Sequence, residues 1–424
     1  ARAHVGMKPL FYCFNGQTLV FASEIKLILD SEVINNEIDE TSIIDYLAYS
    51  YIPSPKTAYK NIFSLNPSEY MIFNLNSKTI KKMEWWKIAR SEYIKIPYDD
   101  AQAQLKEILS NSVRNRMISD VPLGAFLSGG IDSSIIVSEM VKHSSQKIKT
   151  FSIGYKYNLE YDETKYALEV SKILGTDHEV IYPDFLNLNI NNSLDSIVKH
   201  FDQPYGNPTV LLTSILTENV KEKVTVSLVG DGGDELFAGY PRHWALLQQK
   251  KYAQFLKVLN KPMLFFLNFL NETPNQNHII RRARRFFESY NSNLGRVFED
   301  ATRVFISKDL KKLINLDLHK YESSLNLIDK LFNEFNSNVI NNACYADQKS
   351  FLPYNLLDGA DRMSMKNSFE LRLPFLDKEL MNFSANLPLD FKIRNNNQKR
   401  ILKDTYSDIL PSEILNRKKR GFNP

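Results

Sequence analysis

The stretch Leu127-Ser128-Gly129-Gly130-Ile131-Asp132-Ser133-Ser134 decides how this chain is organised. The apolar run 121–126 before it predicts a short buried strand, and the run 135–141 after it carries its apolar residues on one face of a predicted helix. The order strand, glycine-serine turn, helix directs several backbone N–H groups and the positive end of a helix dipole at one point. The stretch therefore predicts an anion site that suits a phosphate or pyrophosphate.

The residue types in this loop fit an anion site. Gly129 and Gly130 let the backbone approach an anion closely, and the hydroxyls of Ser128 and Ser133 add donors. Asp132 is unexpected, because a carboxylate beside a phosphate is unfavourable unless a cation lies between them. We therefore predict that Asp132 is a Mg²⁺ ligand. The loop lacks the lysine of a Walker A motif, and the simpler alternative is a serine-capped turn that opens an ordinary helix.

Length and composition indicate a soluble globular protein with two domains. The chain has 424 residues, 43% of them apolar and 24% charged. Its net charge of only +4 gives no reason to expect a nucleic-acid partner. Cys13 and Cys344 match no metal or redox spacing, as expected for reduced thiols in a cytoplasmic protein. The most apolar run, 263–270, is far shorter than the ~20 residues that span a bilayer, so it predicts a core helix and no membrane partner.

Residues 1–90 predict a β-rich segment without chemistry of its own. The apolar runs 10–14 and 18–22 lie on either side of Asn15-Gly16, a strong signal for a hairpin turn. Two helices, at 25–29 and 42–49, and two more short strands, around 70–73, are expected to follow. The chain begins at Ala1 rather than at a methionine, and we expect both of its ends to be cut.

After the glycine-serine loop, strand-like and helical segments alternate, which predicts a parallel α/β sheet. Strands are expected at 151–154, 179–182 and 224–229, with helices at 164–174 and 211–220. Ligands of such sheets bind at the carboxyl ends of the strands. Residues that follow a predicted strand are therefore the first candidates for a site.

The run Gly230-Asp231-Gly232-Gly233-Asp234-Glu235 follows the last of these strands. An acidic surface loop is the plain alternative, although three acids among three glycines beside a buried strand are costly for stability. The two loops would supply complementary parts of one site. One gives donors for a phosphate or pyrophosphate, and the other gives carboxylates for the metal ions that accompany bound phosphates.

Several of these blocks resemble known families. The pattern S-G-G-x-D-S at 128–133 resembles the pyrophosphate-binding loop of the N-type ATP pyrophosphatases. Residues 231–240 resemble the G-E-G-x-D-E…G-G-Y block of the glutamine-hydrolysing asparagine synthetases, and residues 361–377 resemble their D-R-x-S-M…E-x-R-x-P-F-L-D segment. The lysine of their K-x-x-L-[RK] helix start is matched by Lys399, and the stretch 417–424 resembles their R-K-x-G-F…P ending.

The resemblance also implies a division into two domains. Residues 5–12 and 21–26 look like the end of the family's glutaminase domain, so 1–90 would be the β-rich C-terminal part of an Ntn-hydrolase-like α+β glutamine amidotransferase type 2 domain. Residues 95–424 would be the asparagine synthetase domain. Its implied fold is a doubly wound parallel α/β sheet of ATP pyrophosphatase type with a helical C-terminal part.

Roles for individual residues follow from the resemblance. Asp132 and Asp234 are implied as Mg²⁺ ligands, and Lys399 and Asp231 as catalytic residues. Asp231 stands where the family generally has a glutamate, which is one methylene longer. The ammonium of Lys399 would stabilise charge on the α-phosphate and later on a tetrahedral oxyanion, whereas without the resemblance a surface lysine is the commoner interpretation. The implied ATP contacts are Leu127, Ser128, Gly129, Gly130, Asp132, Ser133, Ile153, Val229, Gly230 and Tyr240.

The implied reaction is the synthesis of asparagine from small-molecule substrates. ATP and aspartate would give β-aspartyl-AMP and pyrophosphate, and ammonia derived from glutamine would displace AMP. In that family the glutaminase nucleophile is an N-terminal cysteine, which would lie before Ala1. We therefore expect the 424-residue chain to use free ammonia but not glutamine. The resemblance is also compatible with a homodimer.

Two other functions stay open at the level of sequence. The segment 202–209 lacks an arginine to hold the α-carboxylate of aspartate, although Arg372 or Arg242 could serve. An amidotransferase of the same architecture could instead act on another carboxylate, such as a cell-surface sugar acid. A non-catalytic nucleotide-binding scaffold is the second alternative.

Two charged clusters are left without a single interpretation. Asp361, Arg362 and Glu370 could bind substrate or could form a buried network with Arg372. The basic run 281–285 favours a solvated helix face over a nucleic-acid patch.

Overall fold

The structure, a computed structural model, describes residues 1–90, 95–156, 162–184, 190–270, 279–313 and 325–417. The strands are, in chain order, β1 Phe11–Phe14, β2 Leu19–Ala22, β3 Phe63–Ser64, β4 Glu69–Asn74, β5 Thr79–Glu84, β6 Leu123–Phe126, β7 Lys149–Ile153, β8 Asp177–Ile181, β9 Val226–Leu228, β10 Glu370–Arg372, β11 Ile393–Arg394 and β12 Asn397–Gln398.

The helices are Ile25–Leu29, Glu40–Tyr49, Tyr98–Arg116, Ile131–Lys142, Thr164–Leu174, Ile190–Phe201, Thr209–Val220, Gly233–Phe237, Pro241–Lys251, Ala253–Asn268, Ile279–Glu288, Leu294–Thr302, Ser307–Leu313, Leu327–Asn333, Val339–Lys349, Asp358–Met365, Lys378–Ala385, Leu389–Lys392, Arg400–Thr405 and Ser412–Leu415. A π-helical segment spans Leu352–Leu357, and a 3₁₀ turn spans Pro374–Leu376.

A parallel sheet of five strands organises the larger part of the chain. Its strand order is β10-β9-β6-β7-β8, and every neighbouring pair is parallel. From β6 the chain proceeds to β7 and β8 on one side, and it then returns to place β9 and β10 on the other side. The predicted doubly wound parallel α/β sheet is confirmed. The direction of winding changes between β6 and β9, which is the position where such sheets bind ligands.

The edge strand β10 was not predicted. It has only three residues, and Glu370 and Arg372 alternate with Leu371, so it lacks the continuous apolar run of a buried parallel strand. It still pairs with β9, with Glu370 opposite Val226, and its two charged side chains form an ion pair at 2.8 Å. An edge position tolerates these charges because, among the described residues, no strand pairs with the other side of β10.

The N-terminal segment has the β-rich structure expected for it. Strand β1 lies between β2 and β3 in an antiparallel sheet, and β4 and β5 form a separate hairpin of six residue pairs. Phe11 and Cys13 of β1 pack with Ile25, Ile28 and Ile62 in a small core. The hairpin predicted around Asn15-Gly16 is confirmed, because Phe14 pairs with Leu19 across that turn.

The prediction of a core helix at 263–270 is wrong. A helix forms over Ala253–Asn268, yet Phe265, Phe266 and Phe269 are 69%, 59% and 71% exposed, and Leu267 is the one buried residue of that run. High apolar content alone does not reveal which side of a helix faces the protein. Among the described residues, no helix combines the length and the apolar character needed to cross a membrane.

Two glycines with the same backbone conformation should respond differently to substitution. Gly129 and Gly175 have φ of +69° and +70°. Gly175→Ala should lower the free energy of unfolding by about 1 kcal/mol, the cost of a left-handed alanine. Gly129→Ala should cost roughly 2 kcal/mol more, because its methyl group would lie 2.5 Å from the carbonyl carbon of Tyr166 in the helix Thr164–Leu174.

Urea unfolding of both variants would measure these costs. Equal losses would contradict the expectation, since they would mean that the glycine-serine loop moves away from that helix without cost.

Candidate active site

The glycine-serine loop leads directly into the helix Ile131–Lys142. Gly130 is the N-cap residue, and its carbonyl accepts the N–H of Ser134 at 3.0 Å. The Ser128 hydroxyl lies 3.1 Å from that of Ser133 and accepts the N–H of Gly130 at 3.3 Å. The first N–H groups of a helix have no intrahelical acceptor. The loop thus provides both hydroxyl and backbone donors at the carboxyl end of β6.

The acidic loop lies against this helix start. It leaves β9, which neighbours β6, and it enters the short helix Gly233–Phe237. A methyl group on Gly230 would lie 2.8 Å from the backbone nitrogen of Ser133, and one on Gly233 would lie 2.4 Å from Oδ1 of Asp132. The two loops are therefore in contact at the point where the direction of winding changes.

Lys399 joins the two loops. Its Nζ donates to Oδ1 and Oδ2 of Asp132 at 2.7 and 2.5 Å, and it lies 2.6 Å from Oδ1 of Asp234. Lys399 is 5% exposed, so its ammonium is largely removed from water. Attraction between opposite charges is stronger in such an environment than at the surface. The structure thus brings together three of the residues that the sequence selected, from three distant parts of the chain.

The hairpin β11–β12 positions this lysine. Gln398, the last residue of β12, donates its side-chain N–H groups to the carbonyls of Ala238 at 2.9 Å and Tyr240 at 2.7 Å. Lys399 then adopts a left-handed backbone with φ of +54° and precedes the helix Arg400–Thr405. Sequence reasoning missed Gln398, although its position beside Lys399 was the available signal.

The two carboxylates fit a hard divalent cation. Asp132 and Asp234 converge on a single ammonium, and carboxylate oxygens are the ligands that Mg²⁺ prefers. Within the part of the chain that the structure describes, no group of three or more His, Cys, Asp or Glu side chains is arranged to hold a metal ion. A Mg²⁺ ion here would therefore take its other ligands from water or from substrate phosphates, as Mg²⁺ usually does.

Three more of the residues predicted to contact ATP also gather at this edge of the sheet. Leu127 and Val229 follow β6 and β9 directly, and Ile153 ends β7; all three are buried. The backbones of Leu127 and Val229 continue the strand pairing. The N–H of Leu127 donates to the carbonyl of Phe151 at 2.8 Å, and that of Val229 donates to the carbonyl of Arg372 at 3.0 Å. These residues form the floor beside the two loops.

Tyr240 is held by its neighbours at the end of the acidic segment. Its hydroxyl donates to Oε1 of Glu235, and the guanidinium of Arg242 lies 3.9 Å from its ring centroid. Burial raises the pKa of Glu235 to about 7, while the hydrogen bond from Tyr240 lowers it. Asp231, the acid predicted to be catalytic, is half-buried in the loop between β9 and the helix Gly233–Phe237.

The candidate substrate-binding arginines have other partners. Arg242 forms a buried ion pair with Asp347 at 2.9 Å. Arg372 contacts Glu370 and donates to the carbonyls of Arg116 and Ile118 at 2.9 and 2.6 Å.

The other residues of the charged cluster do not share the ion pair of Glu370 and Arg372. Asp361 pairs with Lys8, and Arg362 pairs with Asp358 at 3.1 Å.

Arg417 is a further residue of the site that sequence reasoning did not select. It ion-pairs with Glu163, lies 4.1 Å above the ring of Tyr166 and donates to the carbonyl of Gly129 at 3.2 Å. It therefore fixes the outer side of the glycine-serine loop. The remainder of the basic ending, 418–424, lies outside the described residues.

A doubly wound sheet with a glycine-serine loop and an acidic loop at its switch point defines a nucleotide-binding domain of the ATP pyrophosphatase type. Residues 104–424 match the family model for asparagine synthase, and residues 1–86 match the model for a glutamine amidotransferase domain. The chain belongs to the asparagine synthase family.

Three similar proteins match this chain over its whole length. It is 31% identical over 429 residues to the glutamine-hydrolyzing asparagine synthetase 1 of Bacillus subtilis strain 168, covering 100% of this chain and 65% of that protein. It is 27% identical over 436 residues to asparagine synthetase 3 of the same strain, covering 100% and 64%. The amidase chry2 of Gibberella zeae is 24% identical over 477 residues, covering 100% and 66%. The chain thus spans about two thirds of the length of these relatives.

The protonation of Glu235 should make stability depend on pH. Its pKa is about 7 in the folded protein against an ordinary value of 4.5, so between these values the folded state binds more protons than the unfolded state. The free energy of unfolding should therefore fall as the pH rises through this window. Glu235→Gln keeps an acceptor for Tyr240 and removes the titration, so above pH 7 it should be more stable than the parent by up to about 3 kcal/mol.

Denaturant unfolding of parent and variant between pH 5 and pH 8 would measure this difference. Glu299, whose pKa is also raised to about 7, is present in both proteins, so its contribution cancels. A difference that does not change with pH would contradict the expectation.

Proposed function

We propose that this chain carries out ATP-dependent amide formation on a carboxylate, and that the carboxylate is the side chain of aspartate. The observation that carries the proposal is the convergence of Lys399, Asp132 and Asp234 beside the glycine-serine loop. Membership of the asparagine synthase family supports it, and two of the similar proteins are named as glutamine-hydrolyzing asparagine synthetases. The products would be AMP, pyrophosphate and asparagine.

The glycine-serine loop would bind the β- and γ-phosphates of ATP. The N–H groups at the start of the helix Ile131–Lys142 and the hydroxyls of Ser128 and Ser133 are suitable donors for an anion. Asp132 and Asp234 would hold Mg²⁺, which neutralises phosphate charge when bound. Adenine and ribose would lie against Leu127, Ile153 and the backbone of Val229 and Gly230.

Lys399 would act where negative charge develops. Attack of a carboxylate on the α-phosphate increases the charge on its oxygens, and attack of ammonia on the resulting acyl adenylate produces a tetrahedral oxyanion. An ammonium fixed in a site with little water stabilises both species more effectively than a mobile surface lysine could. The bonds of Gln398 to the acidic segment support this role, because they hold the neighbouring backbone in place.

Asp231 would serve as the base in the second half-reaction. Ammonia becomes positively charged when it attacks a carbonyl carbon, so a nearby carboxylate must accept a proton before AMP leaves. Asp231 is half-buried between β9 and the helix that carries Asp234, which is a suitable place for that carboxylate. Its shorter side chain, compared with the glutamate usual in the family, would bring the nucleophile closer to the backbone.

The release of pyrophosphate with a panel of carboxylic acids would test the proposed function. Aspartate should drive release of one pyrophosphate for each amide formed. Lys399→Met should lower the rate by about 10²–10³. Lys403→Met is the matched control, since this lysine is one helical turn further on and bonds to Asn397 at 2.9 Å instead; its rate should stay within about twofold of the parent.

The other outcomes of this panel would overturn the assignment. Pyrophosphate release that depends on another acid would identify that acid as the substrate. That second function is favoured by the partners of Arg242 and Arg372, which already engage acidic side chains, and by the similarity to the amidase chry2. No release with any acid would indicate a nucleotide-binding scaffold.

The source of nitrogen provides a separate prediction. The 424-residue chain has two cysteines, and burial raises the pKa of both the Cys13 and the Cys344 thiols. A glutaminase of this kind needs a reactive thiolate, which neither residue is suited to supply. We expect amide formation by this chain with ammonium salts and none with glutamine.

Amide formation measured with each donor at matched concentration would check this expectation. The variant Cys13→Ser would serve as the control, and its ammonia-dependent rate should equal that of the parent. Product formed from glutamine by the 424-residue chain would refute the prediction.

A further inference from the structure

The helix Ala253–Asn268 and the residue after it present an apolar face to solvent. Its most exposed large side chains are Phe255 at 60%, Val258 at 72%, Phe265 at 69%, Phe266 at 59% and Phe269 at 71%. Pro262 is exposed among them. We call these six residues the outer stripe. Soluble monomers rarely leave so many large apolar side chains together in water, and such a patch usually marks an interaction site.

The outer stripe is one continuous surface. At 3.6 residues per turn, its six members fall within an arc of about 100°. Leu256 and Leu267, the buried residues of this helix, lie on the other side and hold it to the protein. The helix is therefore apolar on both sides, and the side that faces away from the protein carries most of the aromatic rings.

The surface around the stripe is basic. The sequence has no acidic residue from Lys250 to Asn271, and Lys250, Lys251, Lys257 and Lys261 are all exposed. None of these four lysines forms an ion pair with any residue that the structure describes. Lys261 lies next to the stripe, since it follows Val258 by three positions, and Lys257 lies one turn before Lys261 on the same side of the helix. Phenylalanines flanked by exposed lysines suit a surface that is both apolar and negatively charged.

The basic run 281–285 extends this surface. Arg284 donates to the carbonyls of Leu267 at 2.8 Å and Leu270 at 3.2 Å, so it caps the helix of the stripe. Arg282 is exposed, as is Ile279 at the start of the same helix. The expected solvated helix face is therefore found at Arg282, while Arg284 has a structural role. The second helix adds positive charge beside the end of the stripe.

We propose that the outer stripe and its lysines dock this protein on an anionic lipid surface, with the helix lying in the plane of the interface. Aromatic side chains would enter the boundary between headgroups and acyl chains, and the lysines would contact lipid phosphates. This proposal goes beyond the proposed enzymatic function. It also differs from the sequence-based prediction that the protein has no membrane partner. It is compatible with the finding that no helix among the described residues could span a membrane, because such docking does not cross the bilayer.

Charge favours this occupant over a second copy of the chain. A two-fold interface through the stripe would place identical surfaces against each other and bring the lysines of one copy towards those of the next. Like charges in contact oppose such pairing. A nucleic acid would satisfy the charges but would leave the phenylalanines in water, whereas an anionic membrane satisfies both features.

Vesicle flotation with the 424-residue chain would test the proposal. The probes are vesicles of phosphatidylcholine alone and vesicles of phosphatidylcholine and phosphatidylglycerol in about equal parts. We expect flotation with the anionic vesicles only, and loss of binding at high salt. The double variant Phe265→Ser, Phe269→Ser should weaken binding at least about tenfold, and Lys257→Glu with Lys261→Glu should do the same at low salt.

Two controls separate docking from general effects. Phe21→Ser removes a phenylalanine of similar exposure, 68%, from strand β2 and should leave flotation unchanged. Thermal unfolding and pyrophosphate release should be the same in the stripe variants and the parent, because the stripe is exposed and lies outside the active site.

Three results would overturn the proposal. The first is no flotation with anionic vesicles, and the second is flotation that the stripe variants leave unchanged. The third is self-association in ultracentrifugation, without flotation, that the stripe variants abolish, since this would assign the surface to a second copy of the chain.

Discussion

The ion pairs of Lys399 with Asp132 and Asp234 are the interaction on which the site depends. Each member comes from a different part of the fold: the helix after β6, the helix after β9, and the segment after the β11–β12 hairpin. Two carboxylates so close together would repel each other without the ammonium between them. The lysine therefore joins the two loops of the site as well as supplying a positive charge for chemistry. The three side chains together carry one negative charge, which leaves the site attractive to a further cation.

Much of this arrangement could be predicted because its signals are local. The residue types of the loop 127–134 predict an anion site. The acidic loop predicts carboxylates at the end of a buried strand. Parallel strands place their carboxyl ends at one edge, so contact between the two loops follows from the strand prediction. The observed neighbours β6 and β9 agree with that expectation. Secondary structure and two of the three charged partners were thus available from short stretches of sequence.

The rest depends on contacts between distant residues, which leave little local trace. Lys399 has a left-handed backbone before a helix of six residues, so no periodic pattern marks it, and only the family resemblance selected it. Gln398 acts through two carbonyls more than 150 positions away, and Arg417 acts through the carbonyl of Gly129. Strand β10 is too short and too charged to be recognised alone. The apolar helix was misjudged because hydropathy measures how apolar a helix is, but not which face is covered.

A buried polar layer behind the site holds the segments that make these distant contacts in fixed positions. Tyr240 links the two halves of this layer, since its carbonyl accepts Gln398 and its hydroxyl donates to Glu235. Asp347 continues the layer by accepting His243 at 2.8 Å and pairing with Arg242 at 2.9 Å. Burying such groups costs stability, as the raised pKa of Glu235 indicates.

The compensation is geometric, because polar partners accept only a narrow range of distances and angles whereas apolar packing tolerates small shifts. Glu235, Tyr240 and Gln398 thus form a series of hydrogen bonds that ends at the residue before Lys399. The polar layer therefore determines where the ammonium lies, and the two carboxylates determine what it can do there.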